Sequence, residues 1–155
     1  MTFTDDQLIL LGPQVRTLPP WPVSYTSWHS DVPFSNPLHI KVQIYVHDVL
    51  PGSGEFAFVP GSHKPDSGPY PKVKWSRSMP GHKAFPGQAG TAIVFNSYGW
   101  HTSMDSQTDA IRKSIILIYE KSTPNRIGPG TFASISSCCV TPQRRRLFSL
   151  EAYDT

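Results

Sequence analysis

Cysteine and long apolar runs are scarce in this sequence of 155 residues, and each scarcity excludes a class of protein. The two cysteines, Cys138 and Cys139, are neighbours, so they cannot link distant segments as the disulfide framework of a small secreted protein does. The first thirty residues or so contain no basic start followed by a long apolar run, and no stretch is long enough to span a membrane. We therefore expect a soluble protein of the reducing cytoplasm with no membrane partner.

Positive charge is in slight excess, with a formal net charge of +3, but it is scattered apart from residues 144–146, which are all arginine. A nucleic-acid-binding protein usually concentrates its basic residues on one face and interleaves them with stacking aromatic residues. A short run of arginines is more typical of a solvated surface. We expect no nucleic-acid partner.

The composition predicts a mainly β domain. Sixteen prolines and eleven glycines disfavour helices, whereas β-branched and aromatic residues recur in short runs. The clearest strand is residues 39–50, which alternate between two sets, Ile40, Val42, Ile44 and Val46 against Lys41, Gln43, Tyr45 and His47. We expect the aliphatic set to face the core and the other set to line a wetter space.

Further short segments predict the rest of the sheet structure. Residues 55–59 follow a Pro-Gly-Ser-Gly turn and are expected to form a hairpin with residues 39–50. Strands are also expected at 23–29, 91–95 and 111–120, while residues 5–18 fit either a short helical turn or a strand. At least six short strands with turns between them indicate a sandwich or a barrel.

Two regions outside the strands have their own patterns. Residues 64–87 are rich in proline, glycine, lysine and serine, which predicts a long surface excursion of the kind that often covers a site. Near the end of the chain, Thr141 and Pro142 fit the cap and the first position of a short helix that runs toward Leu150.

The tripeptide His29-Ser30-Asp31 predicts half of a metal site. On an extended strand, residues two apart project from the same face, so this imidazole and carboxylate can bind one metal ion. His101 is the best candidate for a second imidazole. Two imidazoles and one carboxylate leave the opposite side of a non-haem Fe(II) ion open for a co-substrate and dioxygen. The same three ligand types also suit catalytic zinc, and ligand identity does not separate the two metals.

Arg112 favours iron over zinc. An arginine on an otherwise apolar strand is costly to bury unless it meets an anion, and its planar fork matches a carboxylate. We expect Arg112 to bind the distal carboxylate of 2-oxoglutarate. Ser103 lies two residues after His101, so its hydroxyl should face the same pocket and donate to the same carboxylate.

These residues carry a resemblance to a known family. Residues 29–31, residues 54–63 with their Pro-Gly-Ser-His turn, residues 101–103 and Arg112, eleven positions after His101, together resemble the phytanoyl-CoA dioxygenase family of Fe(II)- and 2-oxoglutarate-dependent oxygenases. The resemblance implies a double-stranded β-helix, or jelly roll. It implies hydroxylation of a small organic substrate by dioxygen, with release of succinate and carbon dioxide.

The resemblance also assigns the site. It makes His29, Asp31 and His101 the iron ligands and Arg112 with Ser103 the 2-oxoglutarate clamp. It further places Gln43 beside the co-substrate.

The chain departs from the family at its front. Only 28 residues precede His29, whereas relatives carry a longer, partly helical N-terminal region that backs the larger sheet. We expect one domain over residues 1–155, with its core at about residues 18–122 and a shortened N-terminal region. A fragment, a truncated gene product and a degenerate member all fit this length, so a non-catalytic module that binds a metal or a partner is the alternative to an enzyme. An exposed sheet edge would also favour a homodimer.

Overall fold

Two antiparallel sheets build the domain. The computed structural model describes residues 7–20, 27–33, 39–71, 73, 78–122 and 130–152. The strands in this part of the chain are β1 (Leu8–Leu18), β2 (His39–Tyr45), β3 (Phe56–Phe58), β4 (Lys83–Phe85), β5 (Ala92–Asn96), β6 (His101–Ser103) and β7 (Arg112–Lys121). A 3-10 helix (Ala133–Cys138) and helix α1 (Pro142–Leu147) follow them. The mainly β prediction is confirmed.

The order of the strands is that of a jelly roll. The first sheet has the order β1-β7-β2-β5 and the second has the order β4-β3-β6. An isolated bridge between His29 and His101 adds one more position to the second sheet, next to β6. The chain therefore crosses repeatedly between two facing sheets, which is the double-stranded β-helix that the sequence predicted.

The core between the sheets is aromatic. Tyr45 and Phe95 from the first sheet pack with Phe56 from the second, and Val49 joins them from the crossing segment. The Tyr45 hydroxyl donates to the Phe85 carbonyl at 2.7 Å and accepts from the Phe56 amide at 2.9 Å. This buried hydroxyl therefore joins the two sheets across the core.

The predicted hairpin of residues 39–50 with 55–59 is wrong. β2 ends at Tyr45 and pairs with β5 and β7, whereas β3 pairs with β4 and β6 in the other sheet. The residues between them cross from one sheet to the other, and Val49 pairs with Gly87 on the way. The crossing brings the start of β3 under the inward-facing Tyr45 side chain, a contact that a hairpin within one sheet would not allow.

The two faces of β2 are also reversed in burial relative to the prediction. Lys41, Gln43 and Tyr45 point between the sheets and are buried, so this face does line the interior as predicted. On the outer face Ile40 is buried, Val42 and Ile44 are half-buried and Val46 is exposed, so the aliphatic face is the less buried of the two. The interior of this domain holds a polar site as well as a core, and the site takes the deeper face of the strand.

The described residues of the segment 64–87 do not cover the pocket between the sheets, as the predicted lid would. Tyr70 packs on Trp100, and Met79 packs with Trp28, on the face of the second sheet that points away from the first. The segment also contains β4, which the sequence did not predict. Trp28 and Trp100 accordingly serve packing.

Three further predictions concern the ends of the chain. For residues 5–18, the strand was the correct alternative, and it forms β1. For the predicted strand at 23–29, residues 23–26 lie outside the described residues. The C-terminal helix is confirmed, because the Thr141 hydroxyl caps it by accepting from the Arg144 amide, although it ends at Leu147. Neither helix in the described part of the chain is long and apolar enough to cross a membrane.

Candidate metal centre

Three predicted ligands come together at one end of the space between the sheets. His101 Nε2 lies 3.1 Å from Asp31 Oδ2, and His29 Nε2 lies 3.6 Å from Asp31 Oδ1. One ligand atom from each residue falls within 4.8 Å of the others, which is close enough for a single metal ion. The two histidines and the carboxylate thus form the cluster that the sequence predicted, from residues seventy positions apart.

Backbone hydrogen bonds fix the two histidines. The amide of His29 donates to the His101 carbonyl at 3.1 Å, and the amide of His101 donates to the His29 carbonyl at 3.0 Å. Asp31 follows on the same segment, and its amide donates to the Ser97 carbonyl at 2.9 Å. The spacing of the ligands is therefore set by the pairing of the chain rather than by flexible side chains.

The rings of both histidines are held in an orientation that suits metal binding. Nδ1 of His29 lies 2.8 Å from the Ser27 carbonyl, and Nδ1 of His101 lies 2.8 Å from the Gly99 carbonyl. A carbonyl can only accept, so each Nδ1 carries a proton, and each Nε2 faces Asp31, where it can bind a metal once it has lost its own proton. Such hydrogen bonds to the far nitrogen are the usual support of a metal-binding histidine.

Charge in the cluster favours a cation. Burial alone would raise the pKa of Asp31, but hydrogen bonds from His101, His29 and Lys41, together with the charge of His101, hold this pKa well below its ordinary value. The hydrogen bond to Asp31 likewise raises the pKa of His29 above its ordinary value. Protons on the ring nitrogens that face Asp31 form these hydrogen bonds, and a metal ion can replace them.

A second group of side chains lies in the same pocket. The Arg112 side chain donates to the Ser103 hydroxyl at 2.6 Å and to the Ser114 hydroxyl at 3.2 Å. Arg112 is 4% exposed, and burial lowers its pKa from the ordinary value. The pocket that contains the three candidate metal ligands is also lined by Arg112, Ser103 and Gln43, so all six predicted site residues share it.

Two donors in this pocket have no acceptor. Arg112 Nε and Gln43 Nε2 are buried and make no hydrogen bond in the described part of the chain. The strand register places Gln43 opposite Ile116, and Arg112 lies four residues before Ile116 along β7. The two unpaired donors therefore lie in the pocket on the neighbouring strands β2 and β7, where an acceptor on a bound ligand would satisfy them.

Sequence reasoning missed two contributors. Lys41 lies against Asp31, with Nζ 2.8 Å from Oδ2, although the sequence indicated only that it faces a wet interior. Ser114 supports Arg112, and its signal was its position two residues further along the same strand face. His39, His47, His63 and His82 lie outside the three-residue cluster.

Comparison with known proteins decides the family. The model of the family described as "Phytanoyl-CoA dioxygenase (PhyH)" matches residues 15–114, well over half of the chain. The chain belongs to the phytanoyl-CoA dioxygenase family. All six predicted site residues fall inside the matched interval. The resemblance inferred from the motifs is thereby confirmed.

Relatives within and around the family are longer than this chain. It is 25% identical over 121 residues to an ectoine dioxygenase from Nocardia farcinica (strain IFM 10152), which covers 64% of this chain and 41% of that protein. It is 26% identical to the non-heme alpha ketoglutarate dependent epimerase SnoN from nogalamycin biosynthesis, with a TM-score of 0.58 over 80% of this chain and 55% of SnoN. EctD from S. alaskensis with bound Fe shares the fold at 19% identity, with a TM-score of 0.58 over 75% of this chain and 46% of EctD. The chain thus spans less than half of the curated relative that it matches.

Proposed function

We propose that this chain carries the catalytic site of a non-haem iron dioxygenase that uses 2-oxoglutarate to hydroxylate a small organic substrate, with release of succinate and carbon dioxide. One observation supports this most directly. The His29, Asp31 and His101 cluster and the Arg112 guanidinium line one pocket, which also contains the buried, unpaired donors Arg112 Nε and Gln43 Nε2. Family membership supports the same reaction class, and SnoN and EctD are described as alpha ketoglutarate dependent and as binding Fe.

In this proposal the cluster holds Fe(II). The two Nε2 atoms and one Asp31 oxygen are the donor set, and three ligands leave coordination places for other groups. When bound, Fe(II) with 2-oxoglutarate supplies the activation of dioxygen that the side chains themselves cannot perform. The rings of Phe56 and Phe95 lie with centroids 5.8 Å and 4.9 Å from that of His101, so the site has an apolar wall on that side.

The other end of the pocket recognises the co-substrate. Arg112 binds the distal carboxylate of 2-oxoglutarate through its free Nε and its terminal nitrogens, and Ser103 holds the guanidinium in place. The Gln43 amide donates to the co-substrate between the two ends. The role of these residues is to bind and orient, so that the acid reaches the cluster in one direction.

A non-catalytic module remains the second candidate, and one fact favours it. The chain covers 41% of the ectoine dioxygenase, so groups that contact substrate in such relatives can lie outside the matched part. Such a module would bind metal without producing succinate. The cytoplasmic location and the homodimer stay predictions, and the former rests on the adjacent free thiols of Cys138 and Cys139.

The test of the proposed function combines binding with turnover. Fe(II) and 2-oxoglutarate added together under anaerobic conditions are expected to raise the melting temperature, because ligands that bind the folded state stabilise it. In air, succinate release in the presence of accepted substrates should follow, and His29→Ala should lose both effects. His63→Ala is the matched control, since His63 is an exposed histidine outside the cluster.

The outcomes separate the candidates. Absence of any stabilisation by the two ligands would contradict the dioxygenase and leave the family fold without this chemistry. Stabilisation without succinate release across a broad set of substrates, and without uncoupled turnover, would favour the non-catalytic module.

A further inference from the structure

A lysine completes the polar cluster at the candidate metal centre. Lys41 Nζ lies 2.8 Å from Asp31 Oδ2, and the lysine side chain is 10% exposed. An ammonium group this buried needs an anion beside it, yet the proposed function gives it no task. We propose that Lys41 is a charge-positioning residue that lowers the affinity of the site for its metal and raises its affinity for the anionic co-substrate. The inference rests on the proposed function of the same site.

The lower metal affinity follows from the oxygen that Lys41 contacts. Asp31 Oδ2 also lies 3.1 Å from His101 Nε2, so a cation held between this ring and the carboxylate meets the ammonium at the same oxygen. Two cations that share one oxygen in a partly buried pocket repel each other strongly. The ammonium also orients Asp31, which favours the metal, but an outer-shell partner of this kind changes metal affinity by about 10- to 100-fold. The repulsion by a divalent ion is the larger effect.

The ammonium cannot withdraw from the site by a shift of its strand. β2 is hydrogen bonded to β5 on one side and to β7 on the other, and Lys41 lies opposite Phe95 and Ile118. A lysine displaced from Asp31 by a metal ion therefore remains at the metal end of the pocket. Its positive charge stays available to another anion.

The higher anion affinity follows from the direction of the strand. Lys41 and Gln43 leave the same face of β2 two residues apart, so the ammonium and the unpaired Gln43 Nε2 belong to the same pocket. Asp31 cancels one charge of a divalent metal ion, and Lys41 adds one positive charge back. A dicarboxylate that reaches from Arg112 to the metal end meets this charge with its second carboxylate.

The experiment separates metal binding from anion binding. Mn(II), which is stable in air, is titrated into the protein and followed by the loss of the free-ion signal in electron paramagnetic resonance. 2-Oxoglutarate is then titrated calorimetrically into the Mn(II)-loaded protein. Lys41→Met removes the charge at similar length, Lys41→Arg keeps it, and Lys113→Met makes the same change at an exposed position on the outer face of β7.

Lys41→Met is expected to bind Mn(II) at least about tenfold more tightly and 2-oxoglutarate at least about tenfold more weakly. Lys41→Arg should stay near the wild-type value in both titrations, and Lys113→Met should change neither. Should Lys41→Met fail to fold, Lys41→Gln, whose amide can still donate to Asp31, takes its place with both shifts expected in the same direction.

A merely structural lysine would give a different pattern. If Lys41→Met weakens both ligands, or changes neither, the inference is overturned while the proposed function stands. If the wild-type protein binds no Mn(II), the proposed function fails and the inference fails with it.

Discussion

The two sheets contribute to the candidate site in different ways. The second sheet holds His29 and His101 on short segments whose positions are fixed by hydrogen bonds of the backbone. The first sheet contributes Lys41, Gln43 and Arg112, whose long side chains reach into the pocket from regular strands. Under the proposed function, the second sheet would supply the fixed distances that metal binding needs, and the first sheet would supply the charge and reach that anion recognition needs.

Removal of a ligand from the second sheet is expected to have the largest effect. His101→Ala should weaken Mn(II) binding by well over about a hundredfold, because loss of an outer-shell partner alone accounts for 10- to 100-fold. Mn(II) titration by electron paramagnetic resonance measures this change. Near-normal Mn(II) affinity in the folded variant would show that the metal binds elsewhere and that the second sheet does not supply its ligands.

Removal of the Arg112 charge from the first sheet should leave metal binding intact and weaken the binding of the anion. Arg112→Met is expected to keep Mn(II) affinity within about threefold and to weaken 2-oxoglutarate binding by about 10- to 100-fold, the range for hydrogen bonds to charged groups. Calorimetry on the Mn(II)-loaded protein checks this. A parallel loss of both ligands would mean that the two sheets do not divide the work.

The smallest effect is expected where the two sheets touch through a side chain. Ser103 belongs to the second sheet but contacts Arg112 of the first, with 2.6 Å between hydroxyl and guanidinium. Ser103→Ala should weaken 2-oxoglutarate binding by about three- to tenfold, the value of an ordinary hydrogen bond, and leave Mn(II) affinity unchanged. Ser103→Thr, which keeps a hydroxyl, is the matched variant and should bind nearly as the wild type does. An effect of Ser103→Ala on Mn(II) as large as that of His101→Ala would contradict the assignment.

The long strands β2 and β7 could be predicted from the sequence, but the short strand β4 could not. β2 was predicted from its alternation and β7 from its apolar run. The number of short strands indicated a sandwich or a barrel, and the family resemblance implied the jelly roll. β4 was missed because its three residues lie within a segment dominated by turn formers. A strand of this length has no measurable period, so it forms through pairing with β3 that the local sequence does not specify.

The site shows the same contrast. His29 and Asp31 could be predicted as a pair because two residues on one strand face need no tertiary information. The contact of Lys41 with Asp31 could not, since alternation indicates which face a residue takes but not what stands opposite. Alternation also suggested that the aliphatic face of β2 is the deeper one, and that inference failed because the interior encloses a polar pocket.

One feature of the second sheet links chemistry to local unfolding. His29 and His101 are paired directly across from each other and exchange both of their backbone hydrogen bonds. Any opening of this edge that breaks the two bonds separates the two imidazoles, so the cluster exists only while the edge is closed. An ion bound by both rings would therefore hold the two paired segments together, and part of its binding free energy would oppose fraying of the sheet at this edge.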